Sequence, residues 1–269
     1  MKLFSTALSL ITSFLFVLHA VETTHAESFV WVTENENPGL FSKVKQAFAL
    51  ELQPDSPDKV RPIVPYSFKY IARVGVFMSS CLILIGHREK EGDPPNDWFR
   101  AFSYDLEGGN KSEIRTDVVF WKWTFLTFAS FEPSPAPDIV FKYYNCLECE
   151  AVELLSSFRY DMQLRKWELR IWPDNDPHIM IDSAYQFGDE DNWVYDCLYK
   201  ITDITGDGLE DLVVRCRRVG EETKVVKDEI LLYSISKGIP KRTSVTKEAT
   251  FNRINKILCE GNKGSPLCK

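Results

Sequence analysis

Asp203, Thr205, Asp207 and Asp211 set side-chain oxygens along one short stretch, Asp203-Ile-Thr-Gly-Asp-Gly-Leu-Glu-Asp211. Gly206 and Gly208 stand between them. Glycine enters φ > 0 without a steric penalty, so this backbone can curl. A curled loop lined with oxygens suits a hard cation, and Ca²⁺ takes oxygen ligands from carboxylates, hydroxyls, carbonyls and water. Leu209 is the candidate for the backbone carbonyl. The stretch is not an EF-hand, which requires a bidentate Glu at its twelfth position and a helix on each side. Counted from Asp203, that position is Val214.

Two other groups have reactive chemistry. Cys146-Leu-Glu-Cys149 has the spacing of a thiol–disulfide pair. A redox enzyme would need one acidic thiol there. The residues that follow, Val152 to Tyr160 and Lys166 to Trp172, instead read as a hairpin around Asp161 to Arg165, which favours a local disulfide. The acids of Asp174-Asn-Asp176 and Asp189-Glu-Asp191 are close in sequence to Trp172 and Trp193. Paired carboxylates beside aromatics are what glycoside hydrolysis uses, one as acid and one as base or nucleophile. Solvated loop acids are the plainer reading. The sequence has no nucleophile elbow, zinc-protease helix, Walker loop or dinucleotide fingerprint.

The elements flanking the oxygen-rich loop read as strands. Tyr195 to Ile201 precedes it and Leu212-Val-Val-Arg-Cys216 follows. If the loop runs from Asp203 to Glu210, Thr202 faces Asp211 and Cys197 faces Cys216. Directly opposed residues lie close enough for a disulfide. Two buried thiols are the alternative. Cys259 and Cys268 bracket a turn-rich segment that a second disulfide can close. With Cys146 and Cys149 as a third pair, Cys81 is the odd one of seven cysteines, a buried free thiol in an apolar strand.

These residues carry a resemblance. Asp-x-Thr-Gly-Asp-Gly-x-x-Asp-Leu-Val-Val resembles the calcium loop of FG-GAP and VCBS repeats, found in integrin-like β-propeller blades. Asp105 to Ile114 resembles a degenerate copy that keeps Asp105, Glu107 and Glu113 but has Gly109 where the loop wants an acid. Pro137-Asp-Ile-Val-Phe141 is similar only to the end of the motif. The resemblance implies propeller-type repeats. It also implies Ca²⁺ at Asp203, Thr205, Asp207, Leu209 and Asp211, a weaker second loop, and a protein or glycan ligand that the sequence does not name. A compact sandwich is the fallback architecture.

The rest of the chain places that module. Residues 1–26 read as a secretory signal: Lys2, an apolar run from Leu3 to Val21, and Thr24-His-Ala26. Residues 27–65 hold an amphipathic helix, Asn37 to Leu52, and a linker containing four prolines. Asn37 can cap the helix and Pro38 suits its first position. Leu40, Phe41, Val44, Ala47, Phe48 and Leu52 form its stripe. Residues 66–240 read as the β-rich repeat domain. They include the unbroken apolar run Cys81 to Ile85, expected to be buried on both faces. They also include an aromatic strand in which Val119, Trp121, Trp123 and Phe125 share a face. Pro173 to Asn192 reads as loop, and Gly238-Ile-Pro240 as a break. Residues 241–269 read as a closing helix near Thr246 to Leu258 and the cysteine-bracketed tail. The net charge of −7 argues against a nucleic-acid partner. No segment after the signal is apolar enough to span a bilayer. The expected compartment is secreted or periplasmic.

Overall fold

The structure, a computed structural model, describes residues 28–53, 68–88, 97–114, 120–147, 150–173, 176, 178–184, 194–219, 225–236 and 238–268. The signal segment, the proline-rich linker and the acids Asp174, Asp189, Glu190 and Asp191 fall outside them. The described chain is mainly β. In order it forms β1 (Val30–Val32), α1 (Pro38–Ala47), β2 (Phe68–Phe77), β3 (Ser80–Arg88), β4 (Asp97–Asp105) and β5 (Lys111–Ile114). Then come β6 (Phe120–Ala129), β7 (Asp138–Leu147), β8 (Glu150–Asp161), β9 (Lys166–Leu169) and β10 (Ile179–Ala184). The last elements are β11 (Val194–Thr202), β12 (Asp211–Val219), β13 (Val225–Ser236), β14 (Ile239–Ser244) and α2 (Glu248–Cys259).

The strands form an antiparallel ladder in near-sequential order, with β5 on β4 and β9 on β8 as side pairs. Two joints are thin. Among the described residues, β4 meets β6 at Trp98–Trp121 and Phe99–Phe120, and its residues 101–104 take β5. Among the described residues, β10 meets β11 at Ser183–Tyr195 and Ala184–Val194. The joints divide the ladder into three sheets: β1–β5, β6–β10 and β11–β14. Among the described residues no pairing joins β1 to β14, so the ladder is open.

The side chains explain the stacking. In β7, Ile139, Phe141 and Tyr143 face the first sheet, packing with Phe77, Leu82 and Leu84. Val140 faces the other way, towards Leu212, Val214 and Tyr233 of the third sheet. Alternation along a strand sends neighbours to opposite faces, so a strand apolar at every position needs cover on both. The outer faces get it from helices. Phe41, Val44 and Phe48 of the α1 region cover Cys81, Ile83 and Ile85. Ile254 and Leu258 of α2 cover Val213 and Ile230. The expected two-sided burial of Cys81 to Ile85 holds, none being more than 3% exposed. Asn37 caps α1 as expected, accepting from the Leu40 amide at 3.0 Å.

A buried ion cluster lies inside the stack. Arg170, just beyond β9, grips the Asp138 carboxylate with Nε and Nη2, and Nη2 also donates to Glu132 at 2.8 Å. The rings of Phe131 and Trp172 lie about 6 Å from the guanidinium carbon. Burial pushes the Asp138 carboxyl up, against the pull of Arg170. Asp138 opens β7 as Asp211 opens β12. β6 ends at Ala129 and β11 at Thr202, so an eight-residue loop precedes each Asp. Asp138 and Asp211 are each 2% exposed.

Four sequence expectations need correction. The 27–65 segment contains a strand, β1, which pairs with β2 through Val30–Val76 to Val32–Val74. Three residues are too few to show a period. The stretch 173–192 contains β10, whose alternation of Ile179 and Ile181 is hidden among prolines and acids. Gly238 lies in the turn between β13 and β14 rather than ending the sheet, and β14 follows as a mostly exposed edge strand, where Pro240 is tolerated. A bulge between Trp121 and Thr124 interrupts the alternation of the aromatic strand.

The clamp gives the first test. Asp138→Ala leaves the buried Arg170 with Glu132 alone, and breaking a buried pair from one side costs about 3–5 kcal/mol. The urea midpoint should fall accordingly. A loss below about 1 kcal/mol would show that the clamp does not hold the stack.

Candidate metal site

β11 and β12 pair from Val194–Val219 to Thr202–Asp211, and Cys197 faces Cys216. This is the expected register. Cys197 and Cys216 are bonded, with Cα atoms 4.2 Å apart, and so are Cys259 and Cys268, at 5.5 Å. Cys81 is free and buried. Cys146 lies in β7, and Cys149 is outside the described residues. Cys146 pairs with Ala151 across a β7–β8 hairpin, so a strand, not a helix, follows this motif.

Residues 203–210 form the tip of the β11–β12 hairpin. Gly206 and Gly208 have φ of +79° and +85°. No atom lies within 4 Å of a Cβ built at either one, so backbone conformation alone demands glycine there. The acids hold the curl together. Asp203 accepts from the Gly206 amide at 2.6 Å and the Gly208 amide at 2.9 Å. Asp211 Oδ2 accepts from the amides of Ile204 at 2.8 Å and Thr205 at 3.0 Å. Asp207 accepts from the Leu209 amide at 3.0 Å. Sequence reasoning assigned these carboxylates to a cation and missed their work for the backbone. The signal was there, since Asp readily bonds amides a few residues ahead.

The loop is also tied to its neighbours. Glu210 and Ser130 exchange two bonds: Ser130 N donates to the Glu210 carboxylate at 2.7 Å, and Glu210 N to the Ser130 carbonyl at 2.9 Å. Ile204 is buried in the cluster formed with α2. Arg253 of α2 reaches the Ile204 carbonyl at 3.5 Å. The loop therefore bridges the middle sheet and the closing helix.

Asp203, Thr205 and Asp207 are exposed, whereas Asp211 is buried. A carboxylate oxygen that accepts one N–H keeps another lone pair. Among the described residues no group of three or more His, Cys, Asp or Glu side chains is placed to hold a metal ion. A cation held here would therefore draw on neutral oxygens as well, from Thr205, the Leu209 carbonyl and water.

The other candidate residues are scattered. Asp105 accepts from the Glu107 amide at 3.0 Å, Glu113 pairs with Arg100 at 2.7 Å, and Glu107 lies 3.9 Å from Arg165. Asp105, Glu107 and Glu113 are not drawn to one point. Asp176 is exposed and its carboxylate accepts from the His178 amide at 2.8 Å. One group escaped sequence reasoning altogether. Ser156 Oγ lies 2.7 Å from His178 Nδ1, and the Tyr143 hydroxyl contacts the same nitrogen. Residues distant in sequence meet here only because β10 lies beside β8. Ser156 and Tyr143 are buried, and both hydroxyls converge on the one ring nitrogen of His178.

Comparison with protein-family models, with curated proteins and with solved structures gives no match. No described helix is long and apolar enough to cross a membrane.

Two tests follow from this geometry. Asp211→Ala removes two charge-assisted bonds from a buried carboxylate and should cost about 2–4 kcal/mol. Asp203→Ala, at an exposed position, should cost only about 1 kcal/mol. Equal losses in urea titrations would contradict this division of roles. Burial pushes the Cys81 thiol up to about 12, so iodoacetamide at pH 8 should modify Cys81 only after unfolding. Rapid labelling of the native protein would contradict its placement.

Proposed function

We propose that the chain is an exported, non-enzymatic binding or structural module of mainly β architecture, stabilised by Ca²⁺ at the β11–β12 loop. The observation that carries this reading is the curled hairpin tip. Gly206 and Gly208 turn the backbone at positive φ between Asp203 and Asp211, with exposed oxygens at Asp203, Thr205 and Asp207. Two disulfides support export, because such bonds persist in oxidising compartments. The FG-GAP/VCBS-type repeat reading is supported by the recurrence of an eight-residue loop followed by a buried Asp that opens the next strand, at Asp138 and Asp211.

Ca²⁺ affinities of extracellular modules run to about 10⁻⁴–10⁻³ M. Thr205 stands where a charged ligand would bind more tightly, which puts this loop at the weak end. With Kd about 1 mM, 10 mM Ca²⁺ adds about 1.4 kcal/mol. That raises the melting temperature by about 3–5 °C for a domain of this size. Asp207→Asn should abolish the rise while leaving the chelator-treated protein unchanged. An identical melting temperature in Ca²⁺ and in chelator would end the calcium reading.

A further inference from the structure

Resting on the calcium reading of the β11–β12 loop, we infer that the ion's control bypasses the second sheet. There the Arg170 guanidinium already occupies the cation position of the corresponding loop, between β6 and β7.

The second and third sheets repeat one plan. β6 ends at Ala129 and β11 at Thr202, β7 opens at Asp138 and β12 at Asp211, and β9 opens at Lys166 and β14 at Ile239. The same interval separates the members of each pair. The β6–β7 loop, Ser130-Phe-Glu-Pro-Ser-Pro-Ala-Pro137, therefore registers residue for residue on 203–210. Ser130 and Asp203 are exposed, Phe131 and Ile204 are buried, and the closing Asp138 and Asp211 are both buried. Local bonding repeats as well. The Ala136 amide donates to the Ser134 hydroxyl at 3.3 Å, as the Leu209 amide donates to Asp207 at 3.0 Å. In this register Glu132 corresponds to Thr205.

The loops differ in how they meet their negative charge. Gly206 and Gly208 turn amides onto Asp203, and Asp211 accepts from the amides of Ile204 and Thr205. Pro133 and Pro135 stand where those glycines would be, and a proline has no N–H and holds φ at about −65°. The β6–β7 loop therefore follows a different curl, and a side-chain cation does the work. Arg170 grips Asp138 with Nε and Nη2 and joins it to Glu132 at 2.8 Å. One positive group thus bridges the third and ninth positions of the loop. Arg159 lies 3.6 Å from Glu132 and adds to the positive field.

A guanidinium keeps its charge at any ordinary pH, and being covalently attached it can be neither diluted nor chelated. A divalent ion approaching this loop meets positive charge and carboxylates already taken. The β6–β7 loop is accordingly set at every calcium concentration. Its bonds to Glu210, through the Ser130 amide and carbonyl, give the β11–β12 loop a fixed anchor when no ion is bound.

The test compares melting temperatures in 10 mM Ca²⁺ and in chelator, with the β11–β12 loop silenced by Asp207→Asn. In that background the chain with Arg170 intact, and the charge-keeping Arg170→Lys, should ignore calcium. Arg170→Gln in the same background should be less stable in chelator and regain about 3 °C or more in calcium, the shift of a millimolar site. Tb³⁺ in the vacated place should also emit on excitation of Trp172, whose ring centre lies 5.9 Å from the guanidinium carbon. Should Arg170→Gln not fold in chelator, recovery on refolding in calcium is the expected result. Calcium-responsive melting in Asp207→Asn alone would overturn the inference. So would an Arg170→Gln chain that gains neither stability nor emission, or that stays unfolded in calcium while Arg170→Lys folds. A wild-type chain indifferent to calcium beside a responsive Arg170→Gln variant would end the reading of the β11–β12 loop and leave the role of Arg170 standing.

Discussion

Two-sided burial governs this molecule. Strands β3, β7 and β12 are apolar on both faces, and no single covering layer can satisfy them. Sheet must lie on sheet, twice, and the two outer faces must find another apolar surface. The helices supply it: Val44 and Phe48 on one side, Ile254 and Leu258 on the other. At roughly 25 cal/mol per Å² of apolar surface removed from water, this layering is the main source of stability. The polar clamps then select one arrangement of the layers. Arg170 ties β7 to the segment after β9. Arg215, with a bidentate grip on Asp228 and bonds to Asn255 and the Leu267 carbonyl, ties β12 and β13 to α2 and the tail.

The candidate site depends on that stack. A loop of acids and glycines has no apolar surface of its own with which to hold a shape. Here its ends are fixed by the β11–β12 ladder, its Glu210 by Ser130 and its Ile204 by the closing helix. The carboxylates of Asp203 and Asp211 satisfy amides that would otherwise require water. They therefore serve the fold before they serve any ligand. A cation at this position would meet a scaffold already curled, and ordering the loop would cost it little.

Much of this was legible in the sequence, for local reasons. The hairpin register came from counting outward from the loop, and the Cys197–Cys216 bond came with it. The Asn37 cap and the stripes of both helices were visible because 3.6-residue periods survive there, although the first helix stops at Ala47, short of Leu52. What was hidden is non-local or irregular. β1 is too short to show a pattern, and the alternation of β10 is submerged among acids and prolines. Bulges at Ala72 and before Thr124 reset which face each residue takes, and a strict two-residue period cannot anticipate them. The meeting of Ser156 with His178, and of Arg170 with Asp138, follows from the order of strands, which no local motif encodes.

The central claim is that the scaffolded hairpin tip accepts a divalent ion. A crystal structure from crystals grown in excess millimolar calcium tests it most directly. The account requires an ion within about 2.3–2.6 Å of oxygens from Asp203, Asp207 and the Leu209 carbonyl. A loop holding only water under those conditions, its acids still bound to nothing but their own backbone amides, would contradict it.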